Sequence, residues 1–339
     1  MSGATKIEWT DATWNPVTGC TKVSAGCKFC YAERDFHRPY PGRAFTDVRT
    51  HPERLDWPLR WRGSKQAKAE GRPSRIFVNS MSDLFHEEVE PSFIDKVLAF
   101  ARISDHVFQI LTKRPERMKG YFCPDPILPR CICSEARIAK IAETLAKMRG
   151  EDTGSAYWDV FLEQPYENFW LGFSAEDQES FDERWEHVKP LAEKGWITWA
   201  SLEPLLGRIV LPPDYLRLAK WTVTGGESGP HARPSHPDWF RSVRDQCQAA
   251  GVPFFFKQWG EWKPTRTHNA VRPAAAGKLV AYSVACSIDH KEVGKAVYHA
   301  YPTKPQDGIG EFEHLDLVGK KRAGRMLDGR EWNEFPKIQ

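Results

Sequence analysis

Short apolar runs alternate along the chain with stretches in which apolar residues recur every three or four positions. Seven runs rich in β-branched and aromatic residues predict strands at 6–9, 75–80, 107–113, 169–175, 196–205, 221–229 and 253–259. The helical periodicity predicts helices at 31–38, 92–104, 134–149, 179–194 and 237–250. Strands that alternate with helices indicate an α/β protein with a parallel sheet.

Most of these strands are apolar throughout, which is typical of a sheet buried on both faces, in a barrel or in a doubly wound fold. Both architectures collect functional groups at the carboxyl ends of their strands. Polar residues follow nearly every predicted strand, namely Asn79, Ser80 and Asp83, Lys113 and Arg114, Ser174 and Glu176, Ser201 and Glu203, Glu227 and Ser228, and Lys257 and Gln258. The alternative is that they only meet solvent where the chain leaves the core.

Two stretches interrupt the alternation, and we interpret both as insertions over one face of the sheet. Residues 40–74 are rich in proline, arginine and tryptophan, and residues 120–133 form a proline-broken loop. The second stretch contains Cys123, Cys131 and Cys133, which either bind a second metal or are incidental. From residue 261 onward the alternation ends, so we expect a barrel-like region over 1–260 and a C-terminal extension over 261–339.

Composition narrows the class of protein only slightly. With 41% hydrophobic and 27% charged residues, the chain has the composition of a globular protein and not of a disordered one. A net charge of +3 leaves a nucleic-acid partner open. The first residues lack the features of a secretory signal, and no stretch reaches the ~18 apolar residues of a spanning helix. We therefore expect a cytoplasmic protein without a membrane partner.

Three of the eight cysteines lie within one short segment, "GCTKVSAGCKFCYAE", at Cys20, Cys27 and Cys30. Disulfides are rare in a reducing cytosol, so the segment indicates a metal site or a reactive centre. A structural zinc site would need a fourth ligand, either His37 or a distant cysteine. An iron-sulfur cluster held by three cysteines would instead leave one iron free to bind a substrate or cofactor. Cys247 and Cys286 are expected to be small buried residues.

The segment "CKFCYA", with Phe29 before the last cysteine, resembles the cluster-binding loop of the radical S-adenosylmethionine (radical SAM) superfamily. That loop usually reads C-x3-C-x-aromatic-C, whereas the first gap here has six residues. The motifs "WNPVTGC", "VNSMSDLFHEEV", "ILTKRPERM", "SLEPLLG", "TGGESGP", "FFFKQWG" and "GRMLDGREWNEFP" resemble a phage-associated and bacterial family of uncharacterised radical SAM-like proteins. The resemblance covers most of the chain.

This resemblance implies a partial (β/α)6 barrel of the TIM type. In it, Cys20, Cys27 and Cys30 would hold three irons of a [4Fe–4S] cluster, and S-adenosylmethionine would chelate the fourth. An electron from a donor of the flavodoxin or ferredoxin type would cleave the cofactor, and the 5′-deoxyadenosyl radical would abstract hydrogen from a substrate. The protein would position the cofactor and exclude competing reactions.

The same resemblance assigns cofactor contacts to residues that follow the strands. Superfamily members bind the methionyl amino group after the second strand, where this chain has Asn79, Ser80 and Asp83. Further polar candidates for the cofactor are Ser174, Glu176 and Glu203. Gly225 and Gly226 would let the backbone approach a ligand, or form only a tight turn, and Glu227 would bind a ribose hydroxyl or an amine.

A nucleic acid or nucleotide is the expected substrate, for modification or repair. Lys113 and Arg114 suit a phosphate, and Lys257 is a further candidate. Trp57 and Trp61 alternate with arginines, as in sites for single-stranded nucleic acid, unless these tryptophans pack against the body of the protein. The competing hypothesis is a metal-stabilised nucleic-acid-binding module without catalysis.

Overall fold

The computed structural model describes residues 3–122, 134–148, 150, 165–271, 295–299 and 309–337. The strands are β1 (Gly3–Ala4), β2 (Ala12–Trp14), β3 (Val17–Thr18), β4 (Arg49–Thr50), β5 (Arg75–Val78), β6 (Val107–Thr112), β7 (Phe169–Ser174), β8 (Ile197–Leu202), β9 (Trp221–Gly225), β10 (Phe254–Gln258), β11 (Trp262–Val271), β12 (Lys295–His299) and β13 (Ile309–Leu317). The helices are α1 (Tyr31–Phe36), α2 (Trp57–Arg60), α3 (Lys65–Ala69), α4 (Pro91–Arg102), α5 (Pro115–Phe122), α6 (Ser134–Met148), α7 (Gln178–Glu193), α8 (Pro213–Leu218), α9 (Pro237–Ala250) and α10 (Lys320–Ala323).

The central sheet has the strand order β1-β2-β5-β6-β7-β8-β9-β10. Strand β1 pairs antiparallel to β2, and the other seven strands are parallel and curl into a half-barrel flanked by helices. The expected partial barrel of parallel strands is therefore confirmed, with seven parallel strands in place of six. The strand ends that carry polar residues lie on one edge, because all seven strands point the same way.

Both faces of the sheet are buried, which explains why its strands are apolar throughout. In β7, Phe169, Leu171 and Phe173 join the large core, whereas Trp170 belongs to a second cluster on the opposite face. Successive side chains of a strand point to opposite faces, so each face needs its own apolar set. The second cluster is strongly aromatic, and its members include Trp9, Phe77, Trp199, Trp221 and Phe255.

The predicted first strand at 6–9 is wrong, because the first parallel strand is β2. This strand is only three residues long and pairs in register with β5. Trp9 is buried inside the aromatic cluster, with ring centroids 4.7 Å from Phe77 and 5.4 Å from Trp199. The apolar character of 6–9 thus reflects a residue that fills the half-barrel, and the cysteine segment still follows the first parallel strand.

The predicted insertion at 40–74 supports the cysteine segment. Its strand β4 pairs with β3, which directly precedes Cys20. Arg43 adds hydrogen bonds to the hydroxyl and carbonyl of Thr18, at 3.0 and 2.9 Å. In the second predicted insertion, residues 120–122 belong to α5, and residues 123–133 with their three cysteines lie outside the described residues.

In the C-terminal extension, β11, β13 and β12 form a separate antiparallel sheet. The last residues return to the half-barrel, where the N–H of Phe256 donates to the Trp332 carbonyl at 3.0 Å and the N–H of Glu334 donates to Phe254 at 3.2 Å. The indole of Trp221 also donates to the Glu334 carbonyl at 2.8 Å. In the part of the chain that the structure describes, no helix combines the length and apolarity needed to cross a membrane.

Candidate functional site

A cavity of about 200 Å³ opens at the carboxyl ends of the parallel strands. The cysteine segment and the residues after the strands line it together, so the fold brings most of the predicted site residues to one cavity. Its lining includes Cys20, Cys27, Cys30, Asn79, Ser80, Asp83, Lys113, Arg114, Ser174, Ser201, Glu203, Gly226, Glu227, Ser228, Lys257 and Gln258.

Backbone hydrogen bonds fix Cys20 and the residue before it. Its N–H donates to the Phe45 carbonyl at 2.8 Å, and the N–H of Gly19 donates to the Met81 carbonyl at 3.2 Å. Gly19 has a φ of 91°, and a Cβ there would stand 2.5 Å from the Asp47 carbonyl oxygen. Only glycine suits this conformation and this close approach.

Cys27 ends a short 3-10 turn, Ala25–Cys27, that is held from across the cavity. The N–H of Gly26 donates to Glu176 Oε1 at 2.9 Å. Arg233 donates to the Ala25 carbonyl at 3.0 Å. The turn is thereby tied to the end of β7 and to the loop after β9.

Cys30 occupies the N-terminal cap position of α1. Burial raises the pKa of its thiol, although backbone N–H groups of Glu33 and Ala32 hydrogen bond the sulfur and lower it in part. The neighbouring Tyr31 donates its hydroxyl hydrogen to the Ser80 carbonyl at 2.8 Å and links the helix to the loop after β5. Tyr31 lines the cavity and was not among the predicted site residues.

The thiols of Cys20, Cys27 and Cys30 are free and line the same cavity. Burial and the Asp83 carboxylate raise the pKa of Cys20 to about 12, despite the opposing effect of Arg114. With its pKa raised in this way, the Cys20 thiol stays protonated at neutral pH unless a metal binds it, since a coordinated thiol loses its proton. Within the described residues, no group of three or more histidine, cysteine, aspartate and glutamate side chains has the arrangement of a metal-ion site.

Asp83 and Arg114 form a buried pair beside Cys20. Their charged groups approach to 3.4 Å, and both side chains are less than a tenth exposed. Asp83 also accepts hydrogen bonds from the Thr112 hydroxyl at 2.7 Å and from the N–H of Lys113 at 3.0 Å. Through these contacts, Asp83 connects the end of β6 with the cysteine segment.

Two lysines face the cavity from different strands. Lys113 Nζ lies 2.7 Å from the hydroxyl of Ser174, and Lys257 Nζ lies 3.0 Å from Glu203 Oε2. The Ser201 hydroxyl lies 3.4 Å from the same Glu203 oxygen. Lys22 also lines the cavity and pairs with Glu33 at 2.8 Å, so among the described residues Lys113 is the lining lysine without an ion pair to a carboxylate.

Four buried side-chain atoms of residues in the cavity lining have no hydrogen-bond partner among the described residues: Trp9 Nε1, Asn79 Nδ2, Glu203 Oε1 and Gln258 Oε1. Asn79 and Gln258 are 2% and 6% exposed. Asn79 also has a φ of 60°, a left-handed conformation that asparagine tolerates better than most residues. Buried polar atoms normally have a partner, so these four atoms are candidates to bind a ligand in the cavity.

Gly225 ends β9 and Gly226 follows it, and at both positions an added Cβ would meet protein atoms. A Cβ at Gly225 would lie 2.5 Å from Glu203 Oε1, and one at Gly226 would lie 1.9 Å from the Trp259 carbonyl oxygen. The carboxylate of Glu227 already has a protein partner, because Arg233 Nε donates to it at 2.8 Å. Each of these residues supports the wall of the cavity.

Glu176 supports the site from just outside its lining. It is 1% exposed and pairs with Arg184 at 3.0 Å. Burial acts to raise its pKa, but hydrogen bonds from Ser24 and Gly26 and the charges of Lys113 and Arg184 bring the pKa below the usual glutamate value. Glu176 is therefore a carboxylate that holds the Cys27 turn.

Trp57 and Trp61 lie away from the cavity. Their rings stack on each other at 5.2 Å and pack against the core. Trp61 also contacts the ring of His106 at 5.1 Å, directly before β6, and thus near the amino end of the sheet. The structure favours the alternative that these tryptophans pack against the body of the protein.

Sequence reasoning missed several residues that hold the cysteine segment. Thr21 is one, since its hydroxyl lies 2.9 Å from Arg114 Nη2 and 2.8 Å from His86 Nε2. Arg233 is another, with its guanidinium over the ring of Phe29 at 5.3 Å. The only signal was their proximity to motifs already noted, because these contacts join residues far apart in sequence.

A family model described as "Protein of unknown function (DUF5131)" matches residues 4–336. No curated protein and no solved structure matches the chain.

Proposed function

The chain belongs to the DUF5131 family, and because the description of that family assigns no activity, we propose from the site itself that the protein is a radical SAM enzyme. In this proposal it holds a [4Fe–4S] cluster and S-adenosylmethionine in the cavity at the carboxyl ends of the strands. When bound, this pair supplies one-electron cleavage of the cofactor and a 5′-deoxyadenosyl radical.

The observation that carries the proposal is the placement of Cys20, Cys27 and Cys30 around one cavity, in the segment between the first and second parallel strands. They line it without the arrangement of a metal-ion site, in the described part of the chain. A four-iron cluster is larger than one ion and takes each thiolate on a different iron, so its ligands surround a space. The donor set thus fits a cluster with one iron left for a cofactor.

The residues around the cysteines have separate tasks in this proposal. Backbone hydrogen bonds, Glu176 and the cap of α1 fix the three thiols before a cluster binds. Asn79 Nδ2 offers a donor, and Glu203 Oε1 and Gln258 Oε1 offer acceptors, to the polar groups of S-adenosylmethionine. The packed aromatic cluster beneath the cavity keeps water from that side.

For the substrate we propose a nucleotide or nucleic acid. The support is the ammonium group of Lys113 in the cavity wall, which forms no ion pair with a carboxylate among the described residues and suits a phosphate, whereas Lys257 in the same lining pairs with Glu203. The tryptophans of the insertion add nothing to this proposal, since they pack near the other end of the sheet. The electron would come from a donor of the flavodoxin or ferredoxin type.

The test is anaerobic reconstitution of the full chain with iron and sulfide. We expect about four irons and four sulfides per chain, a paramagnetic resonance signal after reduction that changes with S-adenosylmethionine, and release of 5′-deoxyadenosine. Cys27→Ala should lose the signal. Cys247→Ala is the matched control, because Cys247 is buried in the large core and does not line the cavity.

A chain that takes up zinc and no iron would overturn the proposal. Zinc uptake together with salt-dependent oligonucleotide binding would favour the non-catalytic nucleic-acid-binding module. Iron uptake without 5′-deoxyadenosine, with reductant and cofactor present, would leave a cluster protein and reject the radical chemistry.

A further inference from the structure

One arginine contacts one of the three cysteine sulfurs. Arg114 Nη1 donates to Cys20 Sγ at 3.7 Å, which is a normal distance for a hydrogen bond to sulfur. Arg114 stands just after β6, more than ninety positions from Cys20 in the sequence. The contact therefore exists only because the fold brings the end of β6 to the cysteine segment.

The guanidinium of Arg114 is held on all of its sides. Nε lies 2.8 and 2.9 Å from the two carboxylate oxygens of Glu87, Nη1 lies 3.4 Å from Asp83, and Nη2 lies 2.9 Å from the Thr21 hydroxyl. The residue is 8% exposed. Each nitrogen has a protein partner, so the geometry offers this group to Cys20 and not to a phosphate in the cavity.

Asp83 fixes the arginine to the sheet. Its carboxylate accepts from the Thr112 hydroxyl and from the backbone N–H groups of Lys113 and Phe85, the latter at 3.0 Å. A carboxylate with several fixed donors has little freedom to move. The end of β6, Asp83, Arg114 and Cys20 thus form one continuous chain of contacts.

We propose that Arg114 is a positioning residue for the Cys20 ligand, and that its charge raises the reduction potential of the bound cluster. This inference rests on the proposed function. Hydrogen bonds and positive charge at a cluster sulfur favour the reduced state, which carries one more negative charge. Without Arg114, the carboxylates of Asp83 and Glu87 would stand near the cluster without their partner.

The experiment compares reconstituted full-length chains in a redox titration followed by paramagnetic resonance. The variants are Arg114→Met, which removes the charge, and Arg114→Lys, which keeps a charge but not the planar fork. Arg117→Met is the matched control. Arg117 also holds the segment after Asp83, by donating to the carbonyls of His86 and Val89, but it does not hydrogen bond a cysteine sulfur among the described residues.

In Arg114→Met we expect the ratio of reduced to oxidised cluster at a fixed potential to fall about tenfold, which is ~59 mV for a one-electron couple. Arg114→Lys should lie between this variant and the native chain, and Arg117→Met should equal the native chain. Arg114→Met should also lose iron to a chelator faster. If Arg114→Met cannot hold a cluster while Arg117→Met does, this result supports the positioning role. The midpoint potential of the Arg114→Lys cluster then tests the effect on the reduction potential.

An Arg114→Met cluster with the native midpoint and native iron retention would overturn the inference and leave the proposed function intact. Absence of iron from the native chain would overturn both. Melting curves of the metal-free variants separate a loss of fold from a loss of ligand geometry.

Discussion

The backbone N–H of Gly26 and the carboxylate of Glu176 meet at 2.9 Å, across 150 positions of sequence. Glu176 follows β7, and Gly26 lies in the turn that carries Cys27. The second carboxylate oxygen of Glu176 pairs with Arg184 of α7 at 3.0 Å. One buried carboxylate therefore joins the cysteine segment, the sheet and a surrounding helix.

Glu176→Ala should lower the free energy of unfolding by about 3 kcal/mol, because the buried Arg184 would lose its carboxylate partner. Urea denaturation measures this loss. Glu183→Ala is the control, since Glu183 is exposed on the same helix and should change stability by less than about 0.5 kcal/mol. Equal effects of the two substitutions would contradict the role given to Glu176.

The stability that Glu176 contributes should depend on pH in one direction. Its pKa in the folded chain lies below the usual glutamate value, so the contribution is complete above the unfolded pKa of about 4.3. It is lost as the pH falls through the folded pKa. The difference in unfolding free energy between the native chain and Glu176→Gln should therefore be constant from about pH 7 to 5 and shrink at lower pH. If the difference in unfolding free energy grew on acidification, the pKa of Glu176 would be raised by folding and not lowered.

The two adjacent glycines at the end of β9, Gly225 and Gly226, should respond differently to substitution by alanine. In Gly226→Ala the methyl would meet the Trp259 backbone, which cannot move away cheaply, and we expect a loss of about 2 kcal/mol in unfolding free energy. In Gly225→Ala it would meet the end of the Glu203 side chain, which can rotate, so the loss should stay below about 1 kcal/mol. Denaturation curves of both variants test the order, and the reverse order would show that the backbone near Trp259 adjusts.

The sheet could be predicted because burial on both faces leaves a signal in every strand. The apolar runs that became β5 to β10 were found from sequence, and parallel direction then placed Asn79, Lys113, Ser174 and Glu203 on one edge. Strand β2 was missed since three residues give no periodicity, and Trp9 was misread because a residue that fills a barrel is as apolar as a strand residue.

The partners of the polar residues could not be predicted in the same way. Arg114 and Glu176 look like any charged residues that follow a strand, yet one faces Cys20 and the other faces Gly26. Both contacts join distant segments, so the local sequence does not predict them. For the same reason, Trp57 and Trp61 had the composition of a nucleic-acid site although the fold packs them near the opposite end of the sheet.

Cys247 should be inert toward alkylation in the folded chain. It is fully buried in α9, and burial raises the pKa of its thiol to about 12. At pH 8 the thiolate fraction, and with it the rate of reaction with iodoacetamide, should be on the order of 10³-fold lower than for a free cysteine. Peptide mapping by mass spectrometry measures each cysteine separately. Labelling of Cys247 at the rate of a free thiol, without urea, would contradict its place in the core.

Lys113 should contribute to oligonucleotide binding if phosphates enter the cavity. Its ammonium group contacts the neutral hydroxyl of Ser174, so its charge remains available to an anion. Lys113→Met should weaken binding to all sequences alike and reduce the slope of log affinity against log salt by about 0.7 for single strands. Fluorescence anisotropy at several salt concentrations measures both quantities. Lys194→Met is the control, because Lys194 is an exposed lysine at the end of α7. An unchanged slope in Lys113→Met, or the same decrease in both variants, would place the phosphates outside the cavity and reject the proposed substrate class.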